Sequence, residues 1–354
     1  MSSSLSVGVL TFHRCINYGS YWQARCLVEG LRALGHDAVL LDHDSPAVNR
    51  AEWRCALAPV LPEQSPASDR QFYRAKIRKF QDVVAALPLS PAFDLAKPEA
   101  MDAYDLVVVG SDEVWNLRHP WYGGAPAFFG DGLQAGRLIS YAASFGNHDA
   151  SGGLGSPWSD WLTRFASISV RDANSRTLVR EATSRSPAIV LDPCLQFPPS
   201  RDCAGADGDY VAVYGHGFPS WFQTMVRAWA GRHGRSLRSI GYRNDWADEQ
   251  LLAAGPHEFA AQMAGARAVV TNFFHGYVFA LLNAKPFACP PTAYRLNKVR
   301  DLSTLLGLEE RLVDEQSSQE RVDVLLCEPP GDGVMHRIGA LRAASFDYLD
   351  RALH

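Results

Sequence analysis

The sequence predicts an α/β protein with parallel sheets and two domains. Short apolar runs alternate with amphipathic helical segments, which is typical of strands joined by helical crossovers. The chain has 354 residues, which is long for a single hydrophobic core. Apolar residues make up 47% and charged residues 20% of the sequence, as in ordinary folded proteins. We therefore expect two compact domains, each built on a parallel sheet.

Residues 1–200 are predicted to form the first domain. An apolar run at 7–12, a helix from Ser20 to Leu34 that stops at Gly35, and a run at 38–41 form an initial βαβ unit. Further strands are expected at 105–109, 138–142, 167–170 and 188–191. The segment at about 45–100 is rich in proline, arginine and other charged residues, and we interpret it as a helical excursion from this domain.

Residues 193–208 carry prolines and glycines and are the best candidate for an interdomain linker. The second domain is expected at 208–333, with strands at 210–214, 237–240, 268–271 and 286–289 and helices near 220–233, 256–265 and 276–283. A C-terminal helix at 334–354 is a candidate to pack across the domain junction.

Charge and composition exclude several classes of function. There are 34 basic and 38 acidic residues, so the formal net charge of −4 disfavours a nucleic-acid-binding protein. No run approaches the ~20 apolar residues that span a bilayer, and the N-terminus has no signal-peptide core, so we expect a cytoplasmic protein. The seven cysteines have no CxxC spacing, and the usual zinc motifs are missing, so the sequence predicts free thiols and no metal site.

In open parallel sheets, ligands bind at the carboxyl ends of strands. The segment HRCINYG follows the first predicted strand and contains His13, Asn17, Tyr18 and Gly19. Gly19 permits close backbone approach, and the N–H groups at the start of the following helix could bind an anion. The alternative is a turn with an asparagine cap.

The segment GSDEVWN at 110–116 follows the most apolar strand and contains Ser111, Asp112, Trp115 and Asn116. A tryptophan beside an aspartate and an asparagine is typical of surfaces that bind sugars. The alternative is that Trp115 belongs to the core and Asp112 caps a helix.

Two further loops carry groups suited to charge or proton transfer. Arg171 lies at the tip of a predicted strand, where it could hold a carboxylate or phosphate, although a salt bridge between domains is the alternative. The segment TNFFHG at 271–276 contains Asn272, His275 and Gly276 at a strand-to-helix junction. A histidine there is suited to acid or base chemistry, although alone it is more often structural.

Taken together and in order, these segments resemble the polysaccharide pyruvyl transferase family. The stretches that carry the resemblance run from residue 7 to residue 307 and are TFH at 11–13, NYG at 17–19 with Gln23, GSDEVWN at 110–116, SYAASFG at 140–146, SVRD at 169–172, VLDP at 190–193 and TNFFHG at 271–276, which runs into VFALLNAKPF at 278–287.

The resemblance implies two Rossmann-like domains that face each other across a cleft, as in GT-B glycosyltransferases. It implies phosphoenolpyruvate as the donor substrate, no cofactor, and a sugar of a glycan, glycolipid or lipid-linked oligosaccharide as acceptor. The product would be a pyruvate ketal, with release of phosphate. His275 matches the family's histidine and Arg171 an arginine near the donor, whereas Asn17, Gly19, Asp112, Trp115 and Asn116 would line the cleft, with the acceptor on the side of the first domain.

The chain departs from the family at one position. Members carry an arginine or a serine two residues before the histidine, whereas this chain has Phe273. A cation is lost there, and Lys298 or Arg295 would have to replace it.

Two other functions stay open at this point. A nucleotide-sugar glycosyltransferase on the same architecture would need a site for a diphosphate and a base in the second domain, and no acidic residue is evident there to bind the ribose. A non-catalytic glycan-binding homologue is the other alternative, and Phe273 is the residue that favours it. A peripheral location at the inner membrane face is compatible with a lipid-linked acceptor.

Overall fold

A computed structural model describes residues 4–59, 65–199, 208–292 and 296–354. The chain divides into two compact units. The first unit comprises Met1–Ala51, Val84–Pro198 and Ile338–His354, and the second comprises Glu52–Val83 and Pro199–Arg337. Both are α/β units with parallel sheets, as the sequence predicts.

The first unit is built on a four-stranded parallel sheet in the order β2-β1-β3-β4. These strands are β1 (Ser6–Leu10), β2 (Asp37–Leu40), β3 (Tyr104–Val109) and β4 (Ala135–Ser140). The short strands β5 (Ser169–Val170) and β6 (Ala188–Ile189) pair with each other in a separate two-stranded sheet. The Ala143–Val170 bridge continues the pairing from the end of β4 to β5. The strands β1 to β6 are therefore parallel to one another, with their carboxyl ends at the same edge.

Several helices accompany the strands of the first unit. They are α1 (Tyr18–Ala33), α4 (Trp158–Leu162), α5 (Ala173–Thr183) and α6 (Pro193–Gln196), and α2 (Pro46–Leu57) begins in this unit. The C-terminal helix α12 (Asp332–Leu353) belongs to this unit from Ile338 onward. Its Tyr348 hydroxyl donates to the Ser140 carbonyl at 2.7 Å, which ties the helix to the end of β4.

The second unit has a five-stranded parallel sheet in the order β11-β10-β7-β8-β9. The strands are β7 (Tyr210–Tyr214), β8 (Ser236–Ile240), β9 (Glu249–Leu251), β10 (Ala268–Thr271) and β11 (Phe287–Ala288), and the helices are α3 (Arg70–Ala85), α7 (Ser220–Arg232), α8 (Pro256–Gly265), α9 (Phe274–Leu282), α10 (Leu296–Leu306) and α11 (Gln319–Cys327). β7 and β10 are buried along their whole length, which explains their continuous apolar sequences.

The predicted excursion at 45–100 is divided between the two units. Glu52–Val83 is grouped with the second unit, and the remainder with the first. Helix α3 makes polar contacts that the sequence does not reveal: the Lys76 ammonium donates to the Gly241 carbonyl at 3.0 Å, and Lys79 forms an ion pair with Glu258 at 2.6 Å. In the described part of the chain, no helix is long and apolar enough to cross a membrane.

Candidate functional site

The carboxyl edge of the first unit is organised around a buried arginine. Arg171 follows β5, and its guanidinium lies 2.9 Å from Asp192 Oδ2 and 3.4 Å from Asp112 Oδ1. Asp192 follows β6 and Asp112 follows β3, so one guanidinium joins the loops after three strands. All three residues lie in the first unit, so these two ion pairs do not join the domains.

Negative charge dominates around this arginine. Burial would lower the pKa of Arg171, but the carboxylates of Asp112, Asp192 and Asp172 outweigh it and hold the pKa above its ordinary value. The Arg171 side chain is only 4% exposed and already engages two carboxylates. Its geometry therefore fits a group that positions loops better than one that alone binds an anionic donor.

Asp112 is the most exposed member of this cluster. Its side chain is 13% exposed, against 1% for Asp192. Its backbone has φ +73°, a left-handed conformation that aspartate tolerates better than most residues. Oδ2 accepts a hydrogen bond from Ser20 Oγ at 3.0 Å, and Oδ1 accepts one from the Glu113 N–H at 2.9 Å. Asp112 does not cap a helix, and its carboxylate stays partly accessible at the carboxyl edge.

The first loop does not offer its helix N-terminus to an anion. Asn17 caps α1, and its Oδ1 accepts from the N–H groups of Gly19 at 2.8 Å and Ser20 at 3.2 Å. Tyr18 and Gly19 are buried in the first turn of this helix. The expected anion site at Gly19 is therefore wrong, and the alternative of a turn with an asparagine cap is confirmed.

His13 is a fully buried member of a charge cluster. Its Nε2 lies 2.9 Å from Asp42 Oδ1, and Arg14 makes two hydrogen bonds of 2.7 Å to the same carboxylate. Burial alone would raise the pKa of Asp42, but the hydrogen bonds from His13 and Arg14 hold it well below its usual range. The prediction that His13 contacts substrate is therefore wrong, since the side chain has no exposed surface.

The tryptophan of GSDEVWN is also a core residue. Trp115 is fully buried, donates from Nε1 to the Phe128 carbonyl at 2.7 Å, and packs against Phe129 and Phe145. A sugar cannot stack on a ring without exposed surface, so the alternative assignment to the core is correct.

Two other predicted binding residues of this segment are buried and support its conformation. Asn116 donates to Glu113 Oε2 at 2.7 Å and to Asn147 Oδ1 at 3.0 Å. The Ser111 hydroxyl donates to Gln23 Oε1 at 3.0 Å. Neither residue presents exposed side-chain surface to a substrate, and both are better described as scaffold.

In the second unit, the predicted histidine occupies the first turn of a helix at the carboxyl end of β10. His275 is the second residue of α9 and is 9% exposed. Gly276 allows close packing behind it, because a Cβ there would lie 2.0 Å from Thr271 Oγ1 and 2.8 Å from Tyr214 Cδ1. The Thr271 hydroxyl in turn donates to the Tyr214 carbonyl at 2.6 Å, which fixes the junction between β10 and α9. Gly276 is therefore a packing residue.

Phe273 differs from the capping residues of the first unit. It occupies the N-cap position of α9 and provides no side-chain hydrogen bond to the first turn, whereas Asn17 caps α1 and Asp172 caps α5. An anion from outside the helix could occupy the place of such a cap.

An aromatic cluster surrounds Phe273 at the same edge. Its ring centroid lies 5.3 Å from those of His216 and Tyr242 and 5.0 Å from that of Tyr214. The Lys76 ammonium lies 4.5 Å from the Tyr242 ring centroid. Burial lowers the pKa of Lys76 to about 7. Lys76 of α3 therefore lies beside this cluster, next to Tyr242, but it is buried and is not a permanent cation at neutral pH.

The remaining predicted residues of the second unit have mixed outcomes. Asn272 is buried, and its amide donates to the His216 carbonyl at 2.8 Å, so it joins the loops after β7 and β10. Lys298 lies half-buried in α10. Arg295 lies outside the described residues.

Three participants were not predicted from the sequence. Asp192 belongs to the VLDP stretch, and its position after a strand, like that of Asp172, was a usable signal. No sequence pattern indicated Tyr242 or Lys76. Lys76 reaches the end of β8 only because α3, which is distant in sequence, packs there.

Comparison with known proteins supports this architecture. The sequence profile of the family described as polysaccharide pyruvyl transferase matches residues 17–289. A UDP-GlcNAc 2-epimerase from Neisseria meningitidis is 10% identical with a TM-score of 0.51, covering 98% of this chain and 99% of that one. AviGT4, a glycosyltransferase involved in avilamycin A biosynthesis, is 13% identical with a TM-score of 0.50, covering 98% and 97%.

These two structures establish likeness of fold alone, and none of the curated protein sequences compared with the chain matches it. The profile match covers most of the chain and includes the segments around Asp112, Arg171 and His275. The chain belongs to the polysaccharide pyruvyl transferase family.

Proposed function

We propose that this protein transfers the enolpyruvyl group of phosphoenolpyruvate to two hydroxyls of a sugar and forms a pyruvate ketal. One sugar oxygen bonds to C2 of the donor while its methylene carbon gains a proton and becomes a methyl group. The second sugar oxygen then displaces phosphate, which leaves with the remaining hydroxyl proton. This sequence needs a proton donor, a proton acceptor and a site for the phosphate.

The observation that carries the proposal is the position of His275. It lies in the first turn of α9, at the carboxyl end of β10, and Phe273 does not cap that helix with its side chain. The positive end of the helix would stabilise the donor phosphate, and His275 would transfer a proton at the enol carbon or contact the phosphate. The second unit is therefore our donor side.

The acceptor is assigned to the first unit. Asp112 is the partly accessible carboxylate of the Arg171 cluster, and it can accept the proton of an attacking hydroxyl. Arg171 would position Asp112 and, through Asp192, the loop after β6. A lipid-linked oligosaccharide is the acceptor class that we favour, and it would place the protein peripherally at the cytoplasmic face of a membrane. Phosphoenolpyruvate is a substrate here, and no cofactor is invoked.

The test is a coupled assay with phosphoenolpyruvate and a panel of glycan acceptors. Phosphate release should equal the amount of acceptor that gains the mass of pyruvate less one water. His275→Ala should lower the turnover rate by about 10²- to 10⁴-fold, the usual contribution of a general acid or base. His233→Ala is the matched control, because His233 ends α7 at the opposite edge of the sheet, next to the start of β8.

A nucleotide-sugar glycosyltransferase is the second candidate, because its fold is shared and an aromatic cluster lies at the carboxyl edge of the second unit. Release of a nucleotide from a nucleotide sugar, without phosphate release from phosphoenolpyruvate, would favour it. A glycan-binding homologue without activity would show neither release. Unchanged turnover in His275→Ala would refute the role that we give to this histidine.

A further inference from the structure

A second histidine lies at the carboxyl edge of the second unit, in the loop that follows β7. β7 and β10 are neighbouring parallel strands, with Tyr214 opposite Thr271, so the loops after them begin side by side. The loop after β7 reads Gly-His-Gly at 215–217, and its His216 is half-buried. The reaction proposed above gives this histidine no role, although it follows the strand next to the one that leads to His275.

Two buried asparagines hold the backbone around His216. Asn272 Nδ2 donates to the His216 carbonyl at 2.8 Å, and Asn244 Nδ2 donates to the Gly215 carbonyl at 2.9 Å. Gly215 allows the two loops to approach each other, because it has φ +144° and a Cβ there would lie 2.1 Å from Asn272 Oδ1. Since Asn272 directly precedes Phe273, these contacts fix His216 against the start of α9.

The imidazole of His216 packs on the residue at the N-cap position of α9. Its ring centroid lies 5.3 Å from that of Phe273, edge to face, and 5.4 Å from that of Tyr242. Phe273 gives the first turn of α9 no side-chain hydrogen bond. A ligand group bound at that turn would therefore lie beside Phe273, on which the His216 ring packs.

Two cationic side chains near this edge are already engaged. Arg243 forms ion pairs with Asp69 at 3.0 Å and with Asp245 at 2.7 Å. Lys76 is buried and donates to the Gly241 carbonyl at 3.0 Å, and burial lowers its pKa to about 7. An imidazole N–H from His216 can add to the N–H groups of the helix without breaking an ion pair.

We propose that His216 binds the phosphoryl group of the donor substrate, with a ring N–H that donates to a phosphate oxygen held at the start of α9. The identity of this donor as phosphoenolpyruvate rests on the proposed function. The recognition itself, an imidazole beside a helix N-terminus, suits a phosphoryl group of any donor. No bond forms or breaks at His216, so it is a binding residue, and proton transfer stays with His275.

The experiment is calorimetric titration of the full-length protein with phosphoenolpyruvate, together with steady-state kinetics. His216→Phe keeps an aromatic ring against Phe273 and Tyr242 but removes the N–H donors. It should raise the Kd and the KM for phosphoenolpyruvate by about 10- to 100-fold, as for the loss of a hydrogen bond to a charged group. The kcat should change much less, because the contact is made before and during the reaction.

Two further variants separate binding from packing. His216→Arg supplies guanidinium N–H donors for a phosphate and should bind phosphoenolpyruvate more tightly than His216→Phe. His233→Phe is the matched control, because it keeps a ring stacked on Trp229 at the opposite edge of the sheet, and it should bind like the wild type. Wild-type binding by His216→Phe would overturn the proposal. So would equally weak binding by His216→Phe and His216→Arg, or a loss of binding that accompanies a lower urea midpoint.

Titration with uridine diphosphate separates this result from that of the proposed function. If the wild type binds uridine diphosphate but not phosphoenolpyruvate, and His216→Phe weakens that binding, the phosphoryl contact stands and the proposed reaction fails. If the wild type and His216→Phe bind and consume phosphoenolpyruvate equally well, the proposed reaction stands and the role of His216 fails.

Discussion

Removing Arg171 should destabilise the first unit. A second substitution that neutralises one of its partner carboxylates should restore part of the lost stability. Arg171→Met leaves the carboxylates of Asp192 and Asp112 without their shared cation. Breaking a buried ion pair by removing one partner costs about 3–5 kcal/mol, because the remaining charge is left in a poorly solvated place. Asp192 should account for most of this cost, since its side chain is 1% exposed and lies 2.9 Å from the guanidinium, against 13% and 3.4 Å for Asp112.

The assay is urea unfolding of the single variant and of two double variants. Arg171→Met/Asp192→Asn should recover most of the lost free energy of unfolding, because an asparagine is neutral and still accepts the Cys194 N–H at the start of α6. Arg171→Met/Asp112→Asn should recover less. A loss below about 1 kcal/mol in the single variant, as for an exposed ion pair, would refute the reasoning, and so would a larger recovery from Asp112→Asn.

Three further predictions concern buried groups. Burial lowers the pKa of His43 to about 3. Between pH 6.5 and 3 the unfolded chain therefore binds a proton at this histidine that the folded chain does not bind. The free energy of unfolding should fall by up to about 1.4 kcal/mol per pH unit as the pH drops through this range. His43→Gln should remove one proton's worth of that slope in urea titrations at several pH values. Burial also lowers the pKa of Lys76, to about 7, so the unfolded chain binds more protons than the folded chain above pH 7. The free energy of unfolding should therefore rise by about 2–3 kcal/mol from pH 7 to 9. Lys76→Met should abolish this rise, whereas Lys79→Met, at an exposed ion pair, should not. Gly276→Ala should cost about 1–3 kcal/mol in thermal unfolding, because its Cβ would overlap the Thr271 hydroxyl. Gly231→Ala, in open space on α7, should be neutral or stabilising. Equal effects of the two substitutions would contradict the packing argument.

The hydrophobic periodicity of the sequence predicted the main strands of the fold. The segment that it assigned wrongly has a physical explanation. Buried strands such as β7 and β10 have uninterrupted apolar sequences, which makes them easy to predict. The segment at 45–100 was assigned to the first domain because it interrupts that domain in sequence. Part of it belongs to the second unit instead, through side chains such as Lys76 and Lys79 whose partners are more than a hundred residues away. Local patterns contain no information about such contacts.

The candidate site was predictable as a set of loops but not as a set of contacts. The rule that ligands bind at the carboxyl ends of strands led to Asp112, Arg171 and His275. The same rule could not distinguish a side chain that points outward from one that points into the core, so Trp115 and His13 were wrongly given to the substrate. Exposure after folding is a tertiary property, and it decides which residues of a loop can touch a ligand.

The most direct test of the proposed donor site is calorimetric titration of the full-length protein. Phosphoenolpyruvate should bind to a single site, and uridine diphosphate sugars should give no heat above dilution. His275→Ala should weaken the binding of phosphoenolpyruvate, whereas His233→Ala should leave it unchanged. Binding of a uridine diphosphate sugar without binding of phosphoenolpyruvate would contradict the account and would favour a glycosyltransferase.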